Sequence, residues 1–287
     1  MADPGNTISS FTGRNRYFAA TMQQVLQNFM PSDKILDVRY DTPTSTIQNP
    51  YGGQPTATIS ANTGTYTVSD FTTTNDELSI TDEFKYAEQV YKWNDFVSNF
   101  DLISERFKQL SYAVAYGLDN WAVNNLAEDG TGSYTTPTGG FTTASNIITI
   151  MANLNSKVAG YAQSYNGLFL VIENTDMVGF EIAQATSGYS MADSVLNNGF
   201  YRHFMGVDIY VVRSGYFVTS TLGTKTVSNA SHRVYGVKKM ATLAVSPMNY
   251  DEKQVGGRTG KEISVHCNAG IKLWTQNATL IVDITIA

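Results

Sequence analysis

Charged side chains are scarce in this sequence of 287 residues. Asp, Glu, Lys and Arg together make up 15% of it, whereas they account for about a quarter of a typical soluble domain. Thr, Ser, Asn, Gln, Gly and Tyr supply much of the remaining surface, and burying these side chains costs less free energy than burying ions. The composition favours a protein with large contacts between copies of itself. A weakly charged secreted β-rich protein fits the composition equally well.

Three further shortages narrow the class of protein. The net charge of −6 leaves no basic excess with which to bind a nucleic-acid backbone tightly. The single cysteine, Cys267, excludes an intramolecular disulfide and fits folding in a reducing cytosol. The first residues lack the basic and apolar segments of a secretory signal, and no apolar run approaches the roughly 20 residues that span a bilayer. We therefore expect a soluble protein that is made in the cytoplasm and contacts no membrane.

Residue types that carry enzyme chemistry are present, but without the spacing that the chemistry needs. His266 and Cys267 are adjacent, and alternation along a strand would point their side chains in opposite directions, which predicts Cys267 as a core residue. His203 and His232 have no metal-ligand spacing to a cysteine or to a second histidine, and they are interpreted as surface or interface residues. No glycine-rich segment fits a phosphate loop or a dinucleotide fingerprint. We expect no catalytic site, no cofactor and no metal.

Two pairs of adjacent acids, Asp82 with Glu83 and Asp251 with Glu252, are the remaining candidates for acid–base chemistry. Paired carboxylates act as acid and base only where their environments separate their pKa values. Adjacent acids are more often solvated turn residues, and both pairs are interpreted in that way.

The segment from Pro43 to Thr81 contains no Lys or Arg and few large apolar residues. A segment of this composition cannot build its own core. Its TATIS and TYTVS pieces, with NPYGG before them and Asn-Thr-Gly between them, predict a long two-stranded hairpin, and a disordered linker is the alternative. Because an isolated hairpin is only marginally stable in water, we expect it to lie on a neighbouring subunit.

Apolar residues at helical spacing predict one long helix, from about Asn99 to Ala127. Its stripe consists of Ile103, Phe107, Leu110, Val114, Leu118 and Trp121. At 1.5 Å per residue the helix would be about 40 Å long, and the Gly-Thr-Gly at 130–132 would end it. A second helix is predicted to begin near Thr142 or Thr143 and to bury Ile147, Ile150, Leu154 and Val158. A shorter helical pattern lies at 17–29.

Strand patterns dominate the second half of the chain. The apolar run at 167–172 predicts a buried strand, followed by a helix cap at 174–176 and a helix at 177–185. A strand at 207–211 precedes a Ser/Thr-rich loop that extends to about His232. In the last 55 residues, strands are predicted at 234–245, 263–273 and 280–286, with a turn at 251–258.

The order of these elements resembles the Hong Kong 97-type (HK97-like) major capsid proteins of tailed bacteriophages. Three segments carry the resemblance: residues 78–129, in which the polar segment leads into the long helix; NNGFYRHFMGVDIYVVRSGYF at 197–217; and NAGIKLW at 268–274 followed by ATLIVDI at 278–284. The resemblance covers nearly the whole chain. It implies an α+β fold with an N-terminal arm, an extended β-hairpin loop, a long spine helix, and peripheral and axial domains.

By position, the resemblance divides the chain into five parts. They are an N-terminal arm at 1–42, an extended loop at 43–92, a peripheral domain with the spine helix at 93–141, an axial domain at 142–232, and returning peripheral strands with the C-terminal strand at 233–287. A flat, elongated subunit with a long helix and a long hairpin suits a contact that is repeated around five-fold and six-fold axes. Aromatic residues dominate such contacts, which makes Tyr51, Phe71 and Trp93 the predicted intersubunit anchors.

The resemblance also implies a function. We expect pentamers and hexamers of an icosahedral head that encloses double-stranded DNA without sequence-specific contacts, assembled in the bacterial host cytoplasm and retained in the virion. A separate scaffolding protein, a portal and decoration proteins are the expected partners. Some members of the family link an extended-loop Lys to an Asn of a neighbour. The absence of Lys from Pro43 to Thr81 predicts a shell held by non-covalent contacts or by auxiliary proteins.

Other classes of protein remain open at this stage. An encapsulin-like compartment shell would share the fold and enclose an enzyme as cargo. A secreted β-rich adhesin or surface protein would fit the Thr-rich composition, although the missing export signal and the long amphipathic helix argue against it. A hydrolase would need a nucleophile or metal set that the sequence does not offer.

Overall fold

A computed structural model describes residues 30–40, 46–52, 73–91, 102–162, 167–187, 200–254 and 260–287. The helices are α1 (Ser32–Ile35), α2 (Leu102–Asp129), α3 (Ala144–Ala162) and α4 (Met177–Ser187), with 3-10 turns at Gly140–Thr142 and Thr275–Leu280. The first strands are β1 (Asp37–Tyr40), β2 (Thr46–Gly52), β3 (Thr73–Ser79), β4 (Asp82–Tyr91), β5 (Gly132–Thr135), β6 (Leu168–Glu173), β7 (Phe200–Phe204) and β8 (Val207–Val212). The others are β9 (Thr219–Leu222), β10 (Lys225–Ser228), β11 (His232–Val237), β12 (Ala241–Val245), β13 (Asn249–Gln254), β14 (Gly260–Leu273) and β15 (Ile281–Thr285).

The predicted long helix is confirmed as α2, a single rod of 28 residues that extends over about 42 Å. It ends at Asp129, directly before the predicted Gly-Thr-Gly stop. Of the predicted stripe, Leu110, Val114 and Trp121 are buried, and the other three members pack against the same core. The 3.6-residue period therefore identified the buried face correctly.

Helix α2 lies against a five-stranded sheet built around the 14-residue strand β14. On one side β14 pairs antiparallel with β4, and on the other with β12 and β13, while β1 adds to β12 in parallel. An edge-to-face contact between Phe84 and Trp121, with ring centroids 5.2 Å apart, joins β4 to the helix. As predicted, alternate residues of β14, including Cys267, face the core, and His266 faces the other way.

The second large sheet has six strands in the order β5-β15-β11-β6-β8-β7. Strand β6 is buried at every position, which confirms the buried strand that the apolar run predicted. Helix α3 covers the sheet with the predicted stripe of Ile147, Ile150, Leu154 and Val158, all of which are fully buried. Helix α4 begins directly after residues 174–176, where a cap was predicted, and packs through stacked Phe141 and Phe180 rings.

Three local predictions were wrong. The predicted strand at 234–245 is two strands, β11 and β12, which are separated by a turn with Lys239 at φ +63° and belong to different sheets. The predicted turn at 251–258 begins with residues 251–254, which belong instead to β13 (Asn249–Gln254). The Ser/Thr-rich loop before His232 contains the β9–β10 hairpin.

The predicted five-part division of the chain stays a prediction, and the segment 233–287 contributes strands to both sheets. Strands β11 and β15, from the segment 233–287 that was assigned to returning peripheral strands, pair within the six-stranded sheet beside β6. Only β12, β13 and β14 of that segment lie in the sheet under α2. Among the described helices, none is both long enough and apolar enough to cross a bilayer.

Candidate intersubunit surfaces

A two-stranded hairpin extends from the sheet under α2. Strands β2 and β3 pair antiparallel from Thr46 opposite Ser79 to Gly52 opposite Thr73. Most of its described side chains are exposed or only partly buried, so the part of the hairpin at 46–52 and 73–79 has no core of its own. The predicted TATIS and TYTVS pieces lie outside the described residues. Two paired strands within Pro43 to Thr81 are confirmed by β2 and β3, which flank those pieces, and strands at TATIS and TYTVS stay a prediction.

The base of the hairpin rests on a small apolar cluster that is separate from the main core. Leu78 of β3, Ala244 of β12 and Trp274 are buried together, and Ile47 and Ile80 pack against them. The Trp274 indole N–H donates to the Thr242 hydroxyl at 2.9 Å, which satisfies its buried donor. The described part of the hairpin is thus attached to its own subunit at the base.

Asp76 fixes β3 to the end of β14. The residue is only 8% exposed, and its carboxylate accepts hydrogen bonds from the backbone N–H and the hydroxyl of Thr275, both at 2.8 Å. The Lys272 ammonium lies 3.0 Å from the other carboxylate oxygen. Burial by itself raises the pKa of Asp76, but the hydrogen bonds from Thr275 and Lys272 outweigh it, and the net pKa lies below its ordinary value.

Asp82 forms a second attachment just after the hairpin. It is 6% exposed and accepts the Thr224 backbone N–H at 2.7 Å and the Thr224 hydroxyl at 3.1 Å. Thr224 lies in the two-residue turn between β9 and β10, where Gly223 has φ +63°. A Cβ at Gly223 would lie 2.1 Å from an Asp82 carboxylate oxygen, so this close approach requires glycine.

The N-terminal part of the described chain is attached to the long helix by another buried carboxylate. Asp119 of α2 accepts the Ser32 backbone N–H at 2.8 Å and the Tyr216 hydroxyl at 2.5 Å. Burial raises the pKa of Asp119 from 3.8 to about 6, although the hydrogen bonds from Ser32 and Tyr216 oppose the rise.

The raised pKa of Asp119 predicts a pH-dependent stability. Because the folded state holds this proton more tightly than the unfolded chain, the stabilising contribution is complete below about pH 4 and is lost as the pH rises through about 6. The loss is on the order of 3 kcal/mol, since one pKa unit corresponds to about 1.4 kcal/mol. Asp119→Asn retains an acceptor for Ser32 and cannot ionise. Its unfolding free energy relative to the original protein should therefore rise between about pH 4.5 and about pH 7.5 in urea titrations; parallel pH profiles of the two proteins would refute the assignment.

The three predicted anchors remain predictions. Tyr51 lies on β2 opposite Thr74 and is partly exposed on the hairpin. Phe71 and Trp93 lie outside the described residues.

Several exposed apolar side chains were not predicted from the sequence. Tyr86 and Tyr250, which are 50% and 55% exposed, flank the buried Val265 in one row across β4, β14 and β13. The others are Tyr40, Ile148, Val178, Ile182 and Met205. Tyr86 is in phase with the core-facing Phe84 and Val90, so alternation alone predicts it to be buried.

The structure places the candidate enzyme residues in separate surroundings. Burial raises the pKa of the Cys267 thiol, as expected of a core cysteine. His203 and His232 are paired with Asp208 and Asp283, each at 2.8 Å. Among the residues that the structure describes, no group of three His, Cys, Asp or Glu side chains could hold a metal ion.

The interpretation of the acid pairs as solvated turn residues was wrong for Asp82, which is buried at the start of β4. Its neighbour Glu83 is exposed, and a hydrogen bond and ion pair with Lys85 hold its pKa below the ordinary value. Asp251 and Glu252 are exposed as expected, but they belong to β13 and not to a turn.

Comparison with known proteins finds similarity in the three-dimensional structure and none in the sequence searches. No model of a protein family matches the sequence, and no curated protein matches it. Solved structures do: a structure of Mycobacterium phage Che8 superposes with a TM-score of 0.73, 13% identity, and coverage of 97% of this chain and 98% of that chain. The chain has a capsid-protein fold.

Two further structures show the same agreement. The capsid of an empty GTA particle gives a TM-score of 0.71 at 13% identity, with 98% of this chain and 99% of that chain covered. The head of Helicobacter pylori bacteriophage KHP40 gives 0.64 at 12% identity, with 98% and 96% covered. The predicted α+β, HK97-like capsid fold is thereby confirmed, and each of the three comparisons covers at least 96% of both chains compared.

Proposed function

We propose that this chain is the major capsid protein of a tailed phage or phage-like particle, located in the virion. The observation that carries the proposal is the agreement in fold over 97% of this chain and 98% of a phage protein. The sparse charge and the coreless hairpin also support it, because both suit a subunit that completes its packing against copies of itself. A structural role without catalysis is part of the proposal.

The finer assembly belongs to the same proposal. Pentamers and hexamers would tile an icosahedral head around double-stranded DNA. The net charge of −6 fits a shell that encloses DNA without binding it tightly. A separate scaffolding protein, a portal and possible decoration proteins would complete the particle.

Negative-stain electron microscopy tests the function. The purified protein at micromolar concentration, alone and after co-expression with the neighbouring structural genes, should form rings, tubes or closed shells. A monomer under all of these conditions would contradict the proposal. Particles that contain an enzyme and no DNA would instead support a compartment shell.

The shell is expected to contain no covalent links between subunits. The segment from Pro43 to Thr81 offers no lysine for a link from the hairpin. Denaturing electrophoresis of purified particles should show a single band at about the 31.5 kDa of the chain. A ladder of linked subunits would disprove this expectation.

A further inference from the structure

Two contacts hold the chain where the hairpin joins the sheet, and both have the same hydrogen-bond pattern. At each, a buried aspartate accepts both the backbone N–H and the hydroxyl of a single threonine: Asp76 from Thr275, and Asp82 from Thr224. Asp76 is the middle residue of β3 and Asp82 begins β4. Only residues 80 and 81 separate the two strands.

The two threonines belong to different parts of the subunit. Thr275 follows β14 and therefore fixes the hairpin to the sheet. Thr224 is at the tip of the β9–β10 hairpin, which the long helix holds at its C-terminal end: Lys225 is ion-paired with Asp129, and the Ser228 N–H donates to Glu128 at 3.2 Å. The direction of the extended hairpin is thus fixed relative to both the sheet and the helix.

The backbone is equally constrained between the two aspartates. A Cβ on Gly270 of β14 would lie 2.3 Å from the Ser79 carbonyl oxygen. Because glycine has no Cβ, β14 can lie directly against the backbone at Ser79, the last residue of β3. Carboxylates that accept several hydrogen bonds while buried are costly to displace, because their partners would be left unsatisfied.

We propose that Asp76 and Asp82 form a clamp that sets the direction in which the hairpin leaves the subunit, and that this direction determines how neighbouring subunits meet. The inference rests on the proposed function for its second half. Asp76 and Asp82 are positioning residues in this scheme. Since the hairpin has little core of its own, its direction depends on these attachments and on the small apolar cluster at its base.

Spin-label distances test the clamp within one subunit. Thr74→Cys on β3 and Ala113→Cys on α2 place labels at exposed positions, and the buried Cys267 should not react under native conditions. Labelled protein is diluted with an excess of unlabelled protein, so that only distances within a subunit are measured. The original protein should give one narrow distance distribution, and Asp76→Ala or Asp82→Ala should broaden and shift it.

Milder and matched variants keep this test interpretable. Thr275→Val and Thr224→Val each remove only the hydroxyl donor and should broaden the distribution less than the alanine variants. Glu77→Ala removes an exposed carboxylate next to Asp76 and should leave the distribution unchanged. Distributions for the aspartate and threonine variants that overlay the original would overturn the clamp.

Particle morphology separates the clamp from the proposed function. Glu77→Ala should assemble as the original protein does, whereas Asp76→Ala and Thr275→Val should give shells of mixed size or open sheets. Shells of unchanged size from a variant with a broadened distance distribution would overturn the role in assembly. If the original protein forms no particles while the distances still respond to Asp76→Ala, the clamp stands and the capsid function fails.

Discussion

Arg233→Met should destabilise the subunit by about 3 to 5 kcal/mol, which is the usual cost of removing one partner from a buried ion pair. The Arg233 side chain is 5% exposed. Its guanidinium donates to Asp176 at 2.5 Å, to Glu173 at 3.3 Å and to the His232 carbonyl at 2.6 Å. Methionine fills much of the same volume, but it leaves two buried carboxylates without their cation.

The two acids of this network, Glu173 and Asp176, also accept hydrogen bonds from backbone N–H groups. Glu173 accepts the backbone N–H groups of Tyr216 and Phe217 at 3.1 and 3.2 Å, and Asp176 accepts the Glu173 N–H just before α4. The network therefore joins β6, β11 and the segment after β8. Losing Arg233 should loosen all three together and lower the yield of folded subunit.

Urea unfolding followed by circular dichroism measures this effect. Lys157→Met removes one positive charge from an exposed position on α3 and should change the unfolding free energy by less than about 0.5 kcal/mol. Adding Glu173→Gln and Asp176→Asn to Arg233→Met should restore part of the loss, because no unpaired charge remains buried. An Arg233→Met protein within about 1 kcal/mol of the original would show that the network contributes little.

Replacing residues 53–72 by Asn-Gly should abolish closed particles while leaving the subunit folded. The described hairpin ends with Gly52 opposite Thr73, and a two-residue turn can close an antiparallel pair at that point. The most buried side chains of the described hairpin, Asp76 and Leu78, lie near its base. The thermal midpoint of the isolated subunit should fall by no more than about 3 °C.

Electron microscopy and thermal melts on the same preparation separate assembly from folding. A control of equal length, with 53–72 replaced by Gly and Ser, retains the length of the excursion and removes its side chains. This control should also fail to form closed shells, because an intersubunit role of the hairpin requires side-chain contacts with neighbouring subunits. Normal shells from the shortened protein would contradict that role.

The sequence predicted elements whose evidence is local. The stripe of α2 repeats over about five turns, and α3 and β6 have equally regular apolar patterns, so their existence and buried faces followed from periodicity. The alternation in β14 correctly separated Cys267 from His266 for the same reason. The overall order of elements was enough to indicate the fold, which the structural comparisons confirm.

The errors arose where the outcome depends on partners far away in the sequence. Asp82 has the same neighbours in the sequence as many turn residues, and its burial follows from Thr224, which lies 142 positions further on. Tyr86 follows the core-facing alternation of β4, yet it remains half exposed at its place in the sheet beside α2. No pattern within β11 or β12 shows that these neighbouring strands belong to different sheets.

The sequence by itself determined the long helix, the buried strands, the coreless polar hairpin and the scarcity of charge, because each is a property of a short window or of composition. Only the tertiary structure decided which strands pair, how Asp76 and Asp82 hold the hairpin, and where Arg233 and Asp119 are buried. Those features depend on the free energy of contacts between distant segments, and a side chain's burial or hydrogen-bond partner is fixed only when those segments pack together.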